Sequence, residues 1–237
     1  MKKIYFSPSD QDRNLYAAGN TNEAEQCRKI ALACVEAAKR CGFDAKTNTT
    51  DEMEDRVEES NRWGADIHVC IHTNAFNGSV MGTRLFCYSK SGEGYKACER
   101  VMASLAPITP GGSDSITENP KLYETRNTSA VAVYVEAGFH DNATEAAWII
   151  SHTTEIAEAI VRGLCDYYSV AYVEPRKEEP AAEKTVYNTL DEVPGYAKAT
   201  IEKLMGKDLL VGTGSGLKLS EDMIRVFTVL DRAGLFG

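Results

Sequence analysis

Short apolar runs alternate along the chain with longer segments of helical periodicity. Runs of β-branched and aromatic residues predict strands at 3–6, 43–48, 67–71, 82–88 and 131–136. Apolar positions at helical spacing predict helices at 23–40, 51–63, 93–105, 144–151 and 155–168. Because strands and helices alternate, we predict an α/β fold with three layers (α-β-α) and a mostly parallel central sheet covered on both faces.

The pattern also predicts a division into two domains. Residues 1–170 carry the α/β pattern, and residues 171–186 are rich in Pro, Glu and Lys without an apolar period, which is typical of a linker. Residues 187–237 predict a small α-helical C-terminal domain. A core of that size is marginal on its own, so we expect this domain to dock on the main domain or to form a homodimer.

The helices of the C-terminal domain have expected inner faces. In the first, the residues expected to be buried are Ala197, Ile201 and Leu204. In the last, which Ser220 caps, they are Met223, Val226, Phe227 and Leu230.

Composition narrows the class of protein. Hydrophobic residues make up 43% of the 237 residues, which is enough for a sizeable core, and the formal net charge of −9 disfavours a nucleic-acid partner. The chain has no apolar run of about 18 residues, so we predict no membrane span. The basic N-terminus lacks the apolar stretch of a signal peptide, so we expect the protein to be made in the cytoplasm without an export signal.

The cysteines are expected to be structural. There are seven, an odd number, and no CxxC pair occurs. Cys27, Cys34 and Cys41 recur every seven residues and therefore share one face of the first predicted helix. We interpret these three, and Cys70 in the strand at 67–71, as small buried hydrophobic residues.

Polar residues follow the ends of several predicted strands. The strand at 67–71 runs into His72, and the strand at 131–136 ends on Glu136. Glu23 opens the first helix, and the loop after the first strand offers Asp10 and Gln11. These positions converge at one edge if the sheet is wound, and that edge is where open α/β sheets bind ligands. A catalytic zinc ion needs three protein ligands and an open position, with a carboxylate nearby as general base.

Four segments carry a resemblance to a known family. They are Asn22-Glu23, Ile71-His-Thr-Asn-Ala75, Gly82-Thr83 and Val135-Glu-Ala-Gly-Phe-His-Asp-Asn142. Over residues 3–168 the chain resembles the zinc-dependent N-acetylmuramoyl-L-alanine amidases of the third type, which include phage endolysins. The resemblance implies that Glu23 and His72 bind Zn2+ and that Glu136 is the catalytic carboxylate. It also implies hydrolysis of the amide between the lactyl group of N-acetylmuramic acid and the L-alanine of the stem peptide, in peptidoglycan.

The chain departs from the family in its first loop. The family usually has Asp-Pro-Gly-His-Gly there, with the histidine as a zinc ligand, whereas this chain reads Ser7-Pro-Ser-Asp-Gln11. Register with family variants that share this opening favours Gln11 as the third ligand. Asp10 is the alternative, because carboxylates are the commoner zinc ligands.

Four further polar residues have two interpretations each. Arg126 is expected to bind a stem-peptide carboxylate or to form a surface ion pair. Asn74 is expected to bind substrate or orient His72, or else to be a turn residue. His68 is interpreted as a packing histidine rather than a ligand, and His140 as a residue near the substrate or a structural one.

The tail resembles a single S-layer-homology-like repeat, in residues 187–196, 212–216 and 222–234. It is expected to bind the cell wall or to support oligomerisation. We therefore predict a bacteriolytic hydrolase, a phage or prophage endolysin that reaches the wall after release from the cell. The alternatives are a degenerate, non-catalytic wall-binding module and a different hydrolase on a related fold.

Overall fold

A six-stranded sheet runs through the first of two units in the computed structural model, which describes residues 1–50, 52–176, 186–212 and 214–237. The first unit spans Met1–Pro175 and the second Arg176–Gly237. Most of the predicted linker at 171–186, and Asp51 at the predicted start of the second helix, lie outside the described residues.

The first unit alternates strands and helices along the chain. Its strands are β1 (Lys3–Pro8), β2 (Asp44–Thr47), β3 (Ile67–Asn74), β4 (Arg84–Cys87), β5 (Ser115–Glu118) and β6 (Val131–Phe139). Its helices are α1 (Glu23–Arg40), α2 (Met53–Trp63), α3 (Glu93–Leu105), α4 (Tyr123–Asn127), α5 (Ala143–Ser151) and α6 (Thr153–Tyr168). The sequence pattern did not predict β5 or α4, which are only four and five residues long.

The strand order is β2-β1-β3-β6-β4-β5. The first four strands in this order are parallel, and β4 pairs antiparallel with β6 while β5 follows β4 in parallel. The predicted α/β fold with a mostly parallel sheet and flanking helices is therefore confirmed. Three central strands, β1, β3 and β6, end at the same edge.

The two faces of the sheet differ in chemistry. On one face the side chains are apolar, and they join α1, α3 and α6 in the main core; they include Ile4, Phe6, Ile67, Val69, Ile71, Val133 and Val135. The opposite face carries buried polar and aromatic side chains, which lie towards α2 and α4; they include Tyr5, Ser7, His68, Cys70, His72 and Tyr134. Successive side chains along a strand point to opposite faces of the sheet, so the pairing register of the strands fixes the face on which each of these residues lies.

All seven cysteines are buried, with free thiols. Cys27 and Cys34 lie on the inner face of α1, and Cys70 lies inside β3. The interpretation of these residues as small buried hydrophobes is confirmed.

The second unit has its own small core. It contains β7 (Val186–Tyr187), α7 (Gly195–Gly206), β8 (Leu219–Ser220) and α8 (Glu221–Arg232). The buried apolar residues are Val193, Ala197, Ile201, Leu204, Leu219 and Ile224. The inner face predicted for α7 is confirmed.

The inner face predicted for α8 is wrong in part. Met223 and Val226 are exposed, whereas Ile224 and Thr228 are buried. Phe227 is only half-buried. Apolar residues cover one broad side of this helix, and the buried stripe lies at the edge of that side, so periodicity alone could not place it.

Among the described residues, no helix is both long enough and apolar enough to cross a membrane.

Gly163 marks the closest approach of α6 to α3. A Cβ atom added there would lie 2.5 Å from the Cα atom of Val101. We expect Gly163→Ala to lower the free energy of unfolding by about 2 kcal/mol, because the two helices would have to separate. Denaturant unfolding followed by tryptophan fluorescence would measure this, since Trp63 and Trp148 both lie in the first unit.

The matched control is Gly112→Ala, because a Cβ atom at Gly112 meets nothing within 4 Å. We expect this variant to unfold like the parent. Equal destabilisation by both variants would contradict the assignment of Gly163 to a helix contact.

Candidate active site

Three side chains meet at the edge where β1, β3 and β6 end. His72 near the end of β3 and Glu136 in β6 are register partners on adjacent parallel strands, so both point to the same face. Glu23 is the first residue of α1, which Asn22 caps by accepting a hydrogen bond from the backbone N–H of Glu25. The cap positions the start of the helix, and with it the Glu23 carboxylate, beside His72.

Glu23 and His72 form a buried pair. The Nδ1 atom of His72 lies 2.9 Å from Oε1 of Glu23. The relative exposure is 1% for Glu23 and 6% for His72. The structure thus brings together two of the predicted zinc ligands.

Gln11 is connected to this pair through Asn14. The side-chain amide of Asn14 donates to Oε1 of Gln11 and to Oε2 of Glu23, each at 2.7 Å. Gln11 and His72 also line the same cavity, of about 320 Å³.

Asp10 lines that cavity too, but it has a different partner. Its Oδ2 atom lies 3.3 Å from Nη1 of Arg56, whose side chain is 1% exposed. Asp10 therefore forms an ion pair with a buried guanidinium group, whereas Gln11 is hydrogen-bonded towards Glu23.

The charges of Glu23 and His72 support each other. Burial alone would lower the pKa of His72, but the nearby carboxylates of Glu124 and Glu23 outweigh burial and raise the pKa to about 9. Burial would raise the pKa of Glu23, but its contact with His72 lowers it below the usual range. The site therefore favours a positive charge on the ring or next to it.

Glu136 has the opposite electrostatic character. Its side chain is half-buried, and its Oε2 atom is buried without a hydrogen-bond partner among the described residues. Burial raises the pKa of Glu136 to about 7, even though the charge of His72 acts in the opposite direction. A carboxyl group with this pKa can both accept and donate a proton near neutral pH.

His140 packs beside the pair. Its Nδ1 atom forms a hydrogen bond of 2.9 Å with Oγ1 of Thr73 and lies 4.0 Å from Oε2 of Glu23. The ring is buried and stacks on Tyr16. These contacts favour the structural interpretation of His140.

Asn74 and Arg126 lie outside the His72 cavity. Asn74 accepts a hydrogen bond from the backbone N–H of Ala75 at 2.8 Å and lines a different pocket, with Arg84 and Phe139. Arg126 is exposed and lines a third cavity, of about 360 Å³. The structure therefore does not gather these two residues with His72, and their substrate-binding roles stay predictions.

Sequence reasoning missed two charged residues of the polar face, Glu124 and Arg56. Each has a 1% exposed side chain, and Glu124 contacts both His68 and His72. Glu124 lies on the unpredicted helix α4, and Arg56 lies on a helix whose composition indicates a solvated face. The sequence did contain one signal for them. Ser7, His68 and His72 lie at alternating strand positions on one face of the sheet, and buried polar groups on such a face need partners.

The residues at the edge fit a zinc ion. Zinc prefers imidazole nitrogen and carboxylate oxygen, and the pair supplies one of each, 2.9 Å apart and shielded from water. Two carboxylates, those of Glu23 and Glu124, already flank the His72 ring, which shows that the site is built to hold positive charge. Gln11 adds a neutral oxygen at the open side of the cavity.

Residues 9–166 match the sequence family described as N-acetylmuramoyl-L-alanine amidase. The chain belongs to this family. The match covers the whole edge site, including Gln11, Glu23, His72 and Glu136. The unusual first loop, with Asp10 and Gln11 in place of the family's histidine segment, is therefore part of a domain that otherwise matches the family.

Individual relatives agree with this assignment. The chain is 33% identical, over 130 residues, to an uncharacterized cell wall amidase of Bacillus anthracis. The aligned part is 51% of this chain and 24% of that protein, so the chain spans about a quarter of its length.

Solved structures show the same fold. The catalytic domain of an N-acetylmuramoyl-L-alanine amidase from Bacillus (Paenibacillus) polymyxa var. colistinus superposes with a TM-score of 0.64 at 19% identity, over 72% of this chain and 100% of that one. The catalytic domain of an endolysin targeting Clostridia difficile gives 0.59 at 21% identity, over 70% and 98%.

The raised pKa of Glu136 predicts an effect on stability. Below about pH 4.5 the group is protonated in both states; between there and pH 7 it ionises in the unfolded chain first, so the folded state loses stability as pH rises. We expect Glu136→Gln to remove this penalty and to stabilise the metal-free protein by about 2 kcal/mol at pH 8, with little effect at pH 4.

Denaturant titrations of parent and variant at both pH values, in the presence of a chelator, would measure the difference. A gain that is equal at pH 4 and pH 8 would show that Glu136 is not held in its protonated form by burial.

Proposed function

We propose that the chain is a zinc-dependent peptidoglycan hydrolase, an N-acetylmuramoyl-L-alanine amidase, that cleaves the amide between N-acetylmuramic acid and the L-alanine of the stem peptide. The observation that carries the proposal is the edge site itself. A buried glutamate–histidine pair lies on the same sheet face as a glutamate whose pKa is about 7. Membership of the amidase family supports the reaction class.

In this proposal Glu23, His72 and Gln11 hold the zinc ion. Gln11 is preferred to Asp10 because the Asp10 carboxylate is paired with Arg56, whereas Asn14 ties Gln11 to Glu23. An amide oxygen is a weaker ligand than imidazole, so we expect zinc to bind less tightly than in a His/Glu/His site.

Glu136 moves the proton. Lewis-acid polarisation of the scissile carbonyl is the chemistry that zinc supplies when bound. The Glu136 carboxylate accepts a proton from the attacking water molecule, and the protonated form then donates it to the leaving nitrogen of L-alanine as the C–N bond breaks. A carboxyl group suits both steps, because the same group must exist in both protonation states during one turnover.

Substrate contacts extend beyond the edge. Arg126 is proposed to bind a carboxylate of the stem peptide through its guanidinium group, and Asn74 to hydrogen-bond the glycopeptide. Asn74 shares its pocket with Phe139, at the same end of β6 as Glu136, whereas the pocket of Arg126 is lined by Val131 and Ala132 at the start of that strand. A contact with Arg126 therefore requires an elongated substrate.

The proposed biological role is that of a phage or prophage endolysin, made in the cytoplasm and active on the wall after release. The fold shared with an endolysin catalytic domain supports this role. The second unit is proposed to bind the wall or to form a homodimer. Exposed apolar side chains on α8, such as Val226 and Val229, support a contact with another molecule.

A second candidate is a non-catalytic wall-binding module. The loop Ser7-Pro-Ser-Asp-Gln11, which lacks the usual histidine, favours it because the site then has one strong ligand fewer.

The catalytic assignment predicts the effect of Glu136→Gln. We expect this variant to retain about one zinc ion per chain by elemental analysis and to lose at least about 100-fold in the rate of amine release from purified peptidoglycan, because glutamine cannot transfer the proton. Glu99→Gln, on the exposed face of α3, is the control and should hydrolyse at the parent rate. Full activity of Glu136→Gln would disprove the role of Glu136.

The ligand assignment predicts different effects for two neighbouring residues. We expect Gln11→Ala to weaken zinc binding by more than about 10-fold, the smallest loss that removal of an outer-shell partner usually causes, and Asp10→Asn to bind zinc like the parent. Chelator competition would measure both affinities. The reverse order would make Asp10 the ligand, and a parent that takes up no zinc would support the wall-binding module instead.

A further inference from the structure

Glu124 lies on the far side of His72 from Glu23. We propose that Glu124 is a positioning residue that accepts the Nε2–H of His72 and so turns the unprotonated Nδ1 atom towards Glu23 and the zinc ion. This inference deepens the proposed function and rests on the zinc site described there.

Two unpaired atoms face each other across a short gap. Oε2 of Glu124 lies 3.6 Å from Nε2 of His72, which is wider than a hydrogen bond. Within the described part of the chain, each of these buried atoms has no hydrogen-bond partner. Nδ1 of the same ring lies 2.9 Å from Glu23. The ring is thus placed between two carboxylates, and an approach of a few tenths of an ångström completes the second bond.

The other oxygen of Glu124 is already engaged. Oε1 accepts hydrogen bonds from Oγ of Ser7 and from Nε2 of His68, the latter at 3.2 Å. Ser7 in turn accepts from Nε of Arg56 at 3.0 Å. These contacts hold Oε1 of Glu124 in place and leave Oε2 directed at His72. His68 is therefore more than a packing residue, because it helps to hold Glu124.

Stacking controls the plane of the His72 ring but not its direction. The ring stacks on Tyr134 with centroids 4.4 Å apart and planes 19° apart. A half-turn of the ring would preserve this stacking and put carbon atoms where the nitrogens now lie. Acceptors on both sides, Glu23 and Glu124, select the observed orientation.

The contact also selects a tautomer. A neutral imidazole carries its proton on one nitrogen only, and the other is free to bind a metal. A carboxylate facing Nε2 stabilises the proton there, which leaves the Nδ1 lone pair for zinc. Loss of such an outer-shell partner typically weakens metal binding by about 10–100-fold.

A second metal ion is the rival explanation for this cluster. His68, Cys70 and Glu124 offer ligand atoms within 4.8 Å of one another. However, the buried Nε atom of Arg56 lies 3.9 Å from Oε1 of Glu124, so a positive charge already occupies this place. A divalent cation beside that guanidinium group would be repelled.

The experiment compares zinc affinity, by chelator competition, in the parent and in three variants of the full chain. We expect Glu124→Ala to bind zinc about 10–100-fold more weakly. Glu124→Gln keeps an oxygen acceptor, and we expect it to bind within about 3-fold of the parent, well short of that outer-shell loss. Glu59→Ala removes a glutamate that pairs with Lys46 and Tyr5 away from His72, and it should bind zinc normally.

Nitrogen NMR of the histidine rings provides a readout that folding defects do not imitate. In the zinc-loaded parent we expect the proton on Nε2 of His72 to exchange slowly with water, because Glu124 accepts it, and in zinc-loaded Glu124→Ala we expect it to exchange faster. Thermal unfolding in chelator should show that Glu124→Gln is folded.

The outcomes separate the two proposals. A parent that binds no zinc overturns the proposed function and this inference with it. A zinc-binding parent whose affinity is unchanged in Glu124→Ala overturns this inference alone. Equal losses in Glu124→Ala and Glu124→Gln would make Glu124 a direct ligand, and two zinc ions per chain, with one lost in Cys70→Ser, would establish the second metal site; either result overturns the positioning role.

Discussion

The carboxylates of Glu23, Glu124 and Glu136 are gathered around the buried ring of His72, and the cost of taking their charges out of water is the constraint on which the site depends. Burial disfavours charge on each of them, and positive partners compensate this cost unevenly, because His68 and Arg56 also lie beside Glu124. The result is a division of roles. Glu23 and Glu124 have hydrogen-bonded partners and lowered pKa values, whereas Glu136 has an unpaired oxygen and a raised one. The same crowding thus leaves two ionised carboxylates beside the ring and one carboxyl group that holds its proton up to about pH 7.

This crowding is possible because the sheet has two unlike faces. The apolar face packs on α1, α3 and α6 and supplies most of the stability through burial. The polar face is covered by α2 and the short α4, which contribute Arg56 and Glu124. A buried polar face is costly unless every group has a partner. The energetic cost of the buried polar groups is therefore confined to one face of the sheet, while the opposite face is packed with apolar side chains.

Much of this architecture could be predicted from the sequence, and the failures have physical causes. The convergence of His72, Glu136 and Glu23 could be predicted because strand ends and a helix start are local features, and parallel winding brings them together. The predicted amidase resemblance rests on those same segments and agrees with the family match at 9–166. Glu124 and Arg56 were missed because they contact residues that are distant in the sequence. Ser7, which contacts both, lies 117 residues from Glu124 and 49 from Arg56, and no local pattern marks such a contact. The face of α8 was misassigned in part because the apolar side of that helix is wider than the stripe that is buried.

The burial of the cysteines affects how the fold responds to oxidation. All seven thiols are buried, and burial raises the pKa of most of them, so little of the reactive thiolate forms. The fold uses no covalent cross-link, so its stability does not depend on one being formed or reduced. A change from reducing to oxidising surroundings therefore breaks no bond on which this fold depends.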